Sequence, residues 1–328
     1  MKKIWNLPFV EFKPFQEIQE TRPVVLITSG PAWEAVSGYL GQLHIQAQIE
    51  PLEATTAHWD ALITQLGTEP EELQQAVVYA VGGGLVADAA KYAAIKLDLP
   101  LICMPTALSV DAFITCASGI RQDGCVVYIE TKVPETLIVD LDVIAGAPAP
   151  IRAAGICDVL SIYTGLWDWK FAQERGQNPP EMTYLPWIAQ AAQAILQGAL
   201  DCAEAAGRGD RDGLKQLLDC LAMEVQLCNQ IGHSRPEEGS EHYFAYLVEN
   251  SMGHGLPHGD LVGPGILIIS EKQGQATAGM RRALDACQIP LENIPPSVVE
   301  KTLAELPLYS SKHKLPYGIA YELPTSYK

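Results

Sequence analysis

Between Ala76 and Leu97 the chain passes from an apolar run into three consecutive glycines and leaves them as an alanine-rich helical pattern. The stretch reads Tyr79-Ala-Val-Gly-Gly-Gly-Leu-Val-Ala-Asp-Ala-Ala-Lys91. Residues 76–81 are short, β-branched and apolar, which predicts a strand buried on both faces. Gly82, Gly83 and Gly84 let the backbone turn sharply and approach a ligand with no Cβ in between. The helix predicted from Leu85 to Leu97 starts at that turn, with its free amides and positive dipole end pointing at it. Such a terminus attracts anions, and the pyrophosphate of a dinucleotide is the ligand that the pattern suggests. A ligand-free strand-to-helix turn is the plainer alternative, since short glycine motifs also occur without a ligand.

The same alternation extends on either side. Strands are expected at 23–29, 45–49, 99–104, 126–130 and 136–141, and a helix at 33–43. Residues 57–67 and 70–76 read as helix or loop. Strand–helix alternation up to about residue 145 predicts an α/β domain, residues 1–150, with a mostly parallel sheet covered on both faces. After Ala145-Gly-Ala-Pro-Ala-Pro150 the strand-like runs stop. Segments 151–174, 185–206, 211–231, 238–252, 260–272 and 275–287 carry helical periodicity, so residues 151–328 are expected to form an all-α domain.

Charge narrows the partners. The net charge of −17 argues against nucleic acid and against an anionic membrane. Neither a signal peptide nor an apolar run of membrane-spanning length is present, so a cytoplasmic protein is expected. Eight scattered cysteines with no C-x-x-C pair are expected to be reduced thiols packed as small hydrophobes. A small-molecule substrate and a homo-oligomer are the expected partners.

Four residues stand out chemically. Asp158 lies in Gly155-Ile-Cys-Asp-Val-Leu, inside a predicted helix with apolar residues on both sides. A carboxylate there needs compensation, by a hydrogen bond or by a metal ion. His242 falls in the first turn of a helix predicted to start at Gly239-Ser240. His258 is bracketed by Pro257 and Gly259 in a stiff turn ahead of helix 260–272. One carboxylate and two histidines suit a zinc site with three protein ligands and an open fourth position; His254 is a neighbouring alternative. Asp111, in Pro105-Thr-Ala-Leu-Ser-Val-Asp, follows a strand, and the carboxyl edge of an open parallel sheet is where ligands bind. Thr106 and Ser109 supply hydroxyls there.

With these motifs in order, the chain resembles the superfamily of glycerol dehydrogenases, iron-type alcohol dehydrogenases and dehydroquinate synthases, and its closest branch looks like sn-glycerol-1-phosphate dehydrogenase. The densest likeness lies in Gly82-Gly-Gly-x-x-x-Asp88-x-x-Lys91, Pro105-Thr-Ala-x-Ser-x-Asp111, Thr131-Lys132-x-Pro134 with Val139-Asp140-x-Asp142, Gly155-x-x-Asp158, Ser234-Arg-Pro with Ser240-Glu-His242, and His258-Gly-Asp260. The resemblance implies an active site in the cleft between a dinucleotide domain and a helical domain. It implies NAD or NADP on Gly82, Gly83, Gly84, Asp88, Thr106 and Ser109. It also implies a divalent metal, Zn²⁺ by expectation, on Asp158, His242 and His258. Asp111 falls on the substrate-orienting aspartate, and Lys132 and Arg235 are candidate phosphate contacts. The implied reaction is reduction of dihydroxyacetone phosphate to sn-glycerol 1-phosphate. Glycerol dehydrogenase, a dehydroquinate-synthase-like lyase with bound NAD, and a non-catalytic nucleotide-binding relative are the alternatives. Ile162 stands where iron-type enzymes place a fourth ligand, a histidine. Val110 replaces the branch's usual histidine, and Asp260 its usual glutamate.

Overall fold

A computed structural model describes residues 6–66, 73, 75–253 and 255–325. The chain divides into two compact units, Met1–Ala147 and Pro148–Lys328. His254 and most of the segment 67–74 lie outside the described residues. Among the described residues no helix is long and apolar enough to cross a membrane.

The first unit is built on a six-stranded parallel sheet. Its strands are β1 Phe9–Phe12, β2 Val24–Thr28, β3 Ile45–Ile49, β4 Val77–Gly82, β5 Leu101–Pro105 and β8 Thr136–Val139, in the order β1-β8-β5-β4-β2-β3. Every residue of β2, β4 and β5 is buried, as expected of central parallel strands covered on both faces. The edge strand β3 alternates instead, with Gln46 and Gln48 exposed. One core cluster fastens Phe15, Val24, Leu26, Val77, Tyr79, Val81, Met104 and Ile138. Helices α1 Gly30–Val36, α2 Thr56–Gln65, α3 Gly84–Lys96 and α4 Leu141–Gly146 complete the unit.

Several local expectations need correction. The stretch Val126–Glu130 does not join the parallel sheet. It lies in β7, Cys125–Glu130, which pairs antiparallel with β6, Ala117–Gln122, as a separate two-stranded sheet. Asp123-Gly124 turns this hairpin with both φ angles positive, 54° and 77°, the turn that an Asp-Gly pair favours. The helix expected at 33–43 starts earlier and stops at Val36, because Pro31 suits the first turn. Strand 136–141 ends at Val139, since the Asp140 carboxylate caps α4 by accepting the N–H groups of Asp142 (3.0 Å) and Val143 (3.4 Å).

Just ahead of β2, Glu20 accepts two side-chain bonds from Arg22, at 2.9 and 2.7 Å, and one from the Tyr79 hydroxyl of β4 at 3.1 Å. Those bonds, Arg22's above all, hold the Glu20 carboxyl down at about 2 against an ordinary 4.5. A depressed carboxylate stabilises the fold above its unfolded value and loses that contribution as pH falls through the folded one. Glu20→Gln is therefore expected to destabilise the protein at neutral pH and to flatten the loss of stability between pH 4.5 and about 2, read by thermal unfolding at stepped pH.

The second unit is helical: α5 Ala149–Arg152, α6 Ile156–Leu160, α7 Ile162–Glu174, α8 Pro186–Gly207, α9 Arg211–Ile231, α10 Ser240–Met252, α11 His258–Lys272, α12 Ala278–Ala286 and α13 Pro296–Lys312. The single helix expected over 151–174 is three helices, and α13 was not anticipated. His258 is the first residue of α11 rather than part of a preceding turn. Pro264 inside α11 cannot donate to the carbonyl of Asp260; the Asn293 side-chain amide donates to it instead, at 2.9 Å.

Candidate functional site

Three elements of the helical unit meet at one point. Asp158 sits in the five-residue α6, His242 in the first turn of α10, and His258 at the start of α11. Gly259 permits the approach of α11: a Cβ there would stand 3.1 Å from the Ala154 Cβ just before α6. The result is that one ligand atom from each of Asp158, His242 and His258 lies within 4.8 Å of the others. His258 Nε2 is 3.1 Å from Asp158 Oδ1, and the two imidazole rings are 5.3 Å apart. Asp158 and His242 are buried at 8% and 5% exposure; His258 is half-buried.

The surroundings favour positive charge there. His242 Nδ1 lies 2.8 Å from Glu241 Oε1, and a carboxylate only accepts, so Nδ1 carries the proton and the neutral ring keeps its lone pair on Nε2, the nitrogen that can ligate. Burial alone would lower the His242 pKa. The hydrogen bond and charge of Glu241, with Glu238 and Asp158 behind them, instead raise it to about 9. Glu241 is fully buried. Its Oε1 also accepts the Gly239 N–H at 2.7 Å, while Oε2 has no hydrogen-bond partner among the described residues. Sequence reading passed over Glu241, although a carboxylate next to a ligand-type histidine at a helix start was visible. An acid behind a ligating histidine fixes its tautomer and ring orientation. Glu241→Gln keeps an acceptor but removes the charge, and is expected to weaken divalent-metal affinity about tenfold, measured by competition with a chromogenic chelator.

The sheet unit holds a second constellation. The glycine turn follows β4, and Thr106 N–H donates to the Gly82 carbonyl at 3.2 Å. Ser109 Oγ lies 3.2 Å from where a Gly83 Cβ would be, and Val110 Cγ2 2.6 Å from a Gly84 Cβ. Gly82, Gly83, Gly84, Thr106 and Ser109 thus gather at the carboxyl ends of β4 and β5. Asp111, half-buried, opens the next turn, its carbonyl accepting the Ile114 N–H at 2.8 Å.

Other expected site residues are engaged elsewhere. Asp88 pairs with the buried Lys91 at 2.9 Å and accepts the Gly119 N–H at 3.2 Å, so its carboxylate faces the β6–β7 hairpin. Lys91 bonds Thr115 Oγ1 at 3.0 Å and the Ala117 carbonyl, holding the same strand. Thr131 fastens the hairpin through the Cys116 carbonyl at 2.9 Å. Lys132 donates to the Leu99 carbonyl at 2.9 Å, ahead of β5 and so at the end of the sheet opposite the glycine turn. Arg235 is 1% exposed, with Nη2 on the Tyr317 carbonyl at 2.8 Å. The structure therefore gives neither Lys132 nor Arg235 the position of an open phosphate contact.

Comparison with known proteins adds to this geometry. A family model described as iron-containing alcohol dehydrogenase matches residues 14–148, a span that holds the glycine turn and Asp111 and stops before Asp158. The chain is 28% identical over 293 residues to the glycerol-1-phosphate dehydrogenase [NAD(P)+] of Metallosphaera sedula, covering 88% of this chain and 82% of that one. It is 33% identical over 176 residues to the Bacillus subtilis protein of the same name, covering 54% of this chain but only 44% of the relative. Among solved structures, the fold matches the glycerol dehydrogenase of Schizosaccharomyces pombe with a TM-score of 0.65 at 18% identity, over 99% of this chain and 86% of that one. The sequence motifs and these likenesses point the same way: residues 14–148 match the iron-containing alcohol dehydrogenase family, and the chain as a whole is similar to glycerol-1-phosphate dehydrogenases and shares the fold of glycerol dehydrogenases.

Proposed function

We propose that this chain is a divalent-metal-dependent oxidoreductase that uses NAD(H) or NADP(H) to reduce dihydroxyacetone phosphate to sn-glycerol 1-phosphate. The observation that carries the reading is the convergence of Asp158, His242 and His258 within 4.8 Å in a pocket of carboxylate charge. One hard oxygen and two imidazole nitrogens suit Zn²⁺, our choice of ion. A histidine one turn past Asp158 would add a fourth ligand, but that position is the buried Ile162. When bound, the ion supplies a Lewis acid that polarises a ketone oxygen. Asp158, His242 and His258 would hold it, and Glu241 would fix the His242 ring.

Gly82–Gly84 and the first turn of α3 would receive the dinucleotide pyrophosphate, with Thr106 and Ser109 beside it. The nicotinamide contributes the hydride, and the protein positions it. Asp111 is the acid assigned to a substrate hydroxyl. Names carried by the relatives support the substrate class, and a cytoplasmic location suits it.

The test is reduction of dihydroxyacetone phosphate with NADH and with NADPH, before and after chelation. Turnover that disappears with the metal and returns on adding Zn²⁺ is expected. Metal-loaded protein inactive on this substrate, on dihydroxyacetone and on glycerol would overturn the reading.

A further inference from the structure

A second buried acid lies behind the helix that carries His242. Asp168, in α7, has no solvent exposure. Its Oδ2 accepts the Ser240 N–H at 2.8 Å and the Ser240 hydroxyl; its Oδ1 accepts the Ile319 N–H at 2.8 Å and Gln273 Nε2 at 3.1 Å. Ser240 Oγ in turn accepts the Ala320 N–H at 3.0 Å. Arg235, bonded to the Tyr317 carbonyl, ties down the other end of the same segment. Close approach is possible because the neighbours are glycines. A Cβ on Gly239 would stand 2.9 Å from Asp168 Oδ2, and one on Gly318 would run into the same carboxylate.

The C-terminal segment 317–320 is thus strapped across the first turn of α10, with Asp168 at the crossing. Ser240, whose amide and hydroxyl both reach Asp168, is two residues before His242. The rotation of that first turn determines where the His242 ring points, and small displacements of a site residue have large consequences. A fully buried carboxylate is retained only where donors satisfy it, and the four donors here come from three residues far apart in the chain, Ser240, Gln273 and Ile319, which must be held in register.

We infer that Asp168 is a positioning residue: with the strap 317–320 it locks the first turn of α10, and through it sets His242 against Asp158 and His258. The inference rests on the metal reading given above and assigns a role to the C-terminal segment.

The test uses Co²⁺ as a probe, since its visible absorption reports coordination geometry. Three full-length proteins are compared: wild type, Asp168→Asn and Ile319→Pro. Asparagine sets an amide against groups that need an acceptor. Proline removes a single donor to Asp168 at the first residue of a short helical turn, where its φ is accommodated. Both folded variants are expected to bind Co²⁺ about tenfold more weakly than wild type, with an altered visible spectrum. If Asp168→Asn fails to fold, Ile319→Pro decides. A lower melting temperature with unchanged Co²⁺ affinity and spectrum would mean that the acid serves folding only, and would overturn the inference. Wild-type protein that takes up no Co²⁺ would sink the metal reading itself, a distinguishable failure.

Discussion

Asp158→Asn is expected to lower the affinity for a divalent ion by about 100-fold or more and to abolish turnover, while the helical unit stays folded. The lower bound comes from outer-sphere changes, which already cost about 10–100-fold; a ligand is worth at least as much. The substituted amide would retain a carbonyl oxygen but not the charge that Asp158 contributes beside two imidazoles 5.3 Å apart. The fold should survive because the α6 contacts are apolar: Ile156, Cys157, Val159 and Leu160 are all fully buried. Metal content after dialysis against excess Zn²⁺, with circular dichroism on the same sample, checks both halves. A variant that holds its ion as tightly as wild type would remove Asp158 from the ligand set.

The second large effect is expected at the glycine turn. A Cβ on Gly84 would stand 2.6 Å from Val110 Cγ2, closer than real contacts allow. Gly84→Val therefore displaces either the start of α3 or the loop after β5, at a cost of about 1–3 kcal/mol for overpacking. The nucleotide KM is expected to rise at least about tenfold, the equivalent of about 1.4 kcal/mol of lost binding. Shrinking the neighbour should relieve part of it: Gly84→Ala combined with Val110→Ala is expected to recover most of the wild-type KM, whereas Gly84→Ala alone does not. Val110 occupies a position where the related branch usually has a histidine, so the same pair of variants separates a packing role from a chemical one. Initial-rate kinetics at varied nucleotide concentration reads all of them.

Much of this was legible in the sequence, and the exceptions have physical causes. Parallel central strands are apolar throughout, so β2, β4 and β5 could be read from runs such as Val77–Val81 alone. β1 could not: Phe9–Phe12 is a four-residue edge strand flanked by prolines, with Phe9 69% exposed, and it carries no periodicity to find. The hairpin was announced by Asp123-Gly124 but obscured by β6, whose Ala117-Ser-Gly-Ile-Arg-Gln has little strand propensity and is held by tertiary bonds, Lys91 to the Ala117 carbonyl, Gly119 N–H to Asp88 and the Ser118 hydroxyl to the Asp88 carbonyl. Asp88 shows the same limit: its carboxylate bonds Lys91 and the Gly119 N–H of the hairpin. Lying one turn into the helix, it looked like part of the glycine motif, and only the tertiary contact shows which way its carboxylate points.

Asp158 and His258 were recognisable because each breaks a local pattern, a charge in an apolar helix and a histidine between proline and glycine, and His242 by its place in the first turn of a helix. Asp168, between Trp167 and Trp169, breaks such a pattern in the same way and was overlooked. What it binds comes from residues 72 and 151 positions away, which no local pattern reveals.

The proposed chemistry requires that Asp158, His242 and His258 together hold a single divalent cation. The direct measurement is calorimetric titration of Zn²⁺ into chelator-stripped protein, run beside Asp158→Asn and His242→Ala. One tight site per wild-type chain, lost in both variants, is the predicted result. A wild-type chain that binds no zinc, or binds it equally well without these side chains, would contradict it.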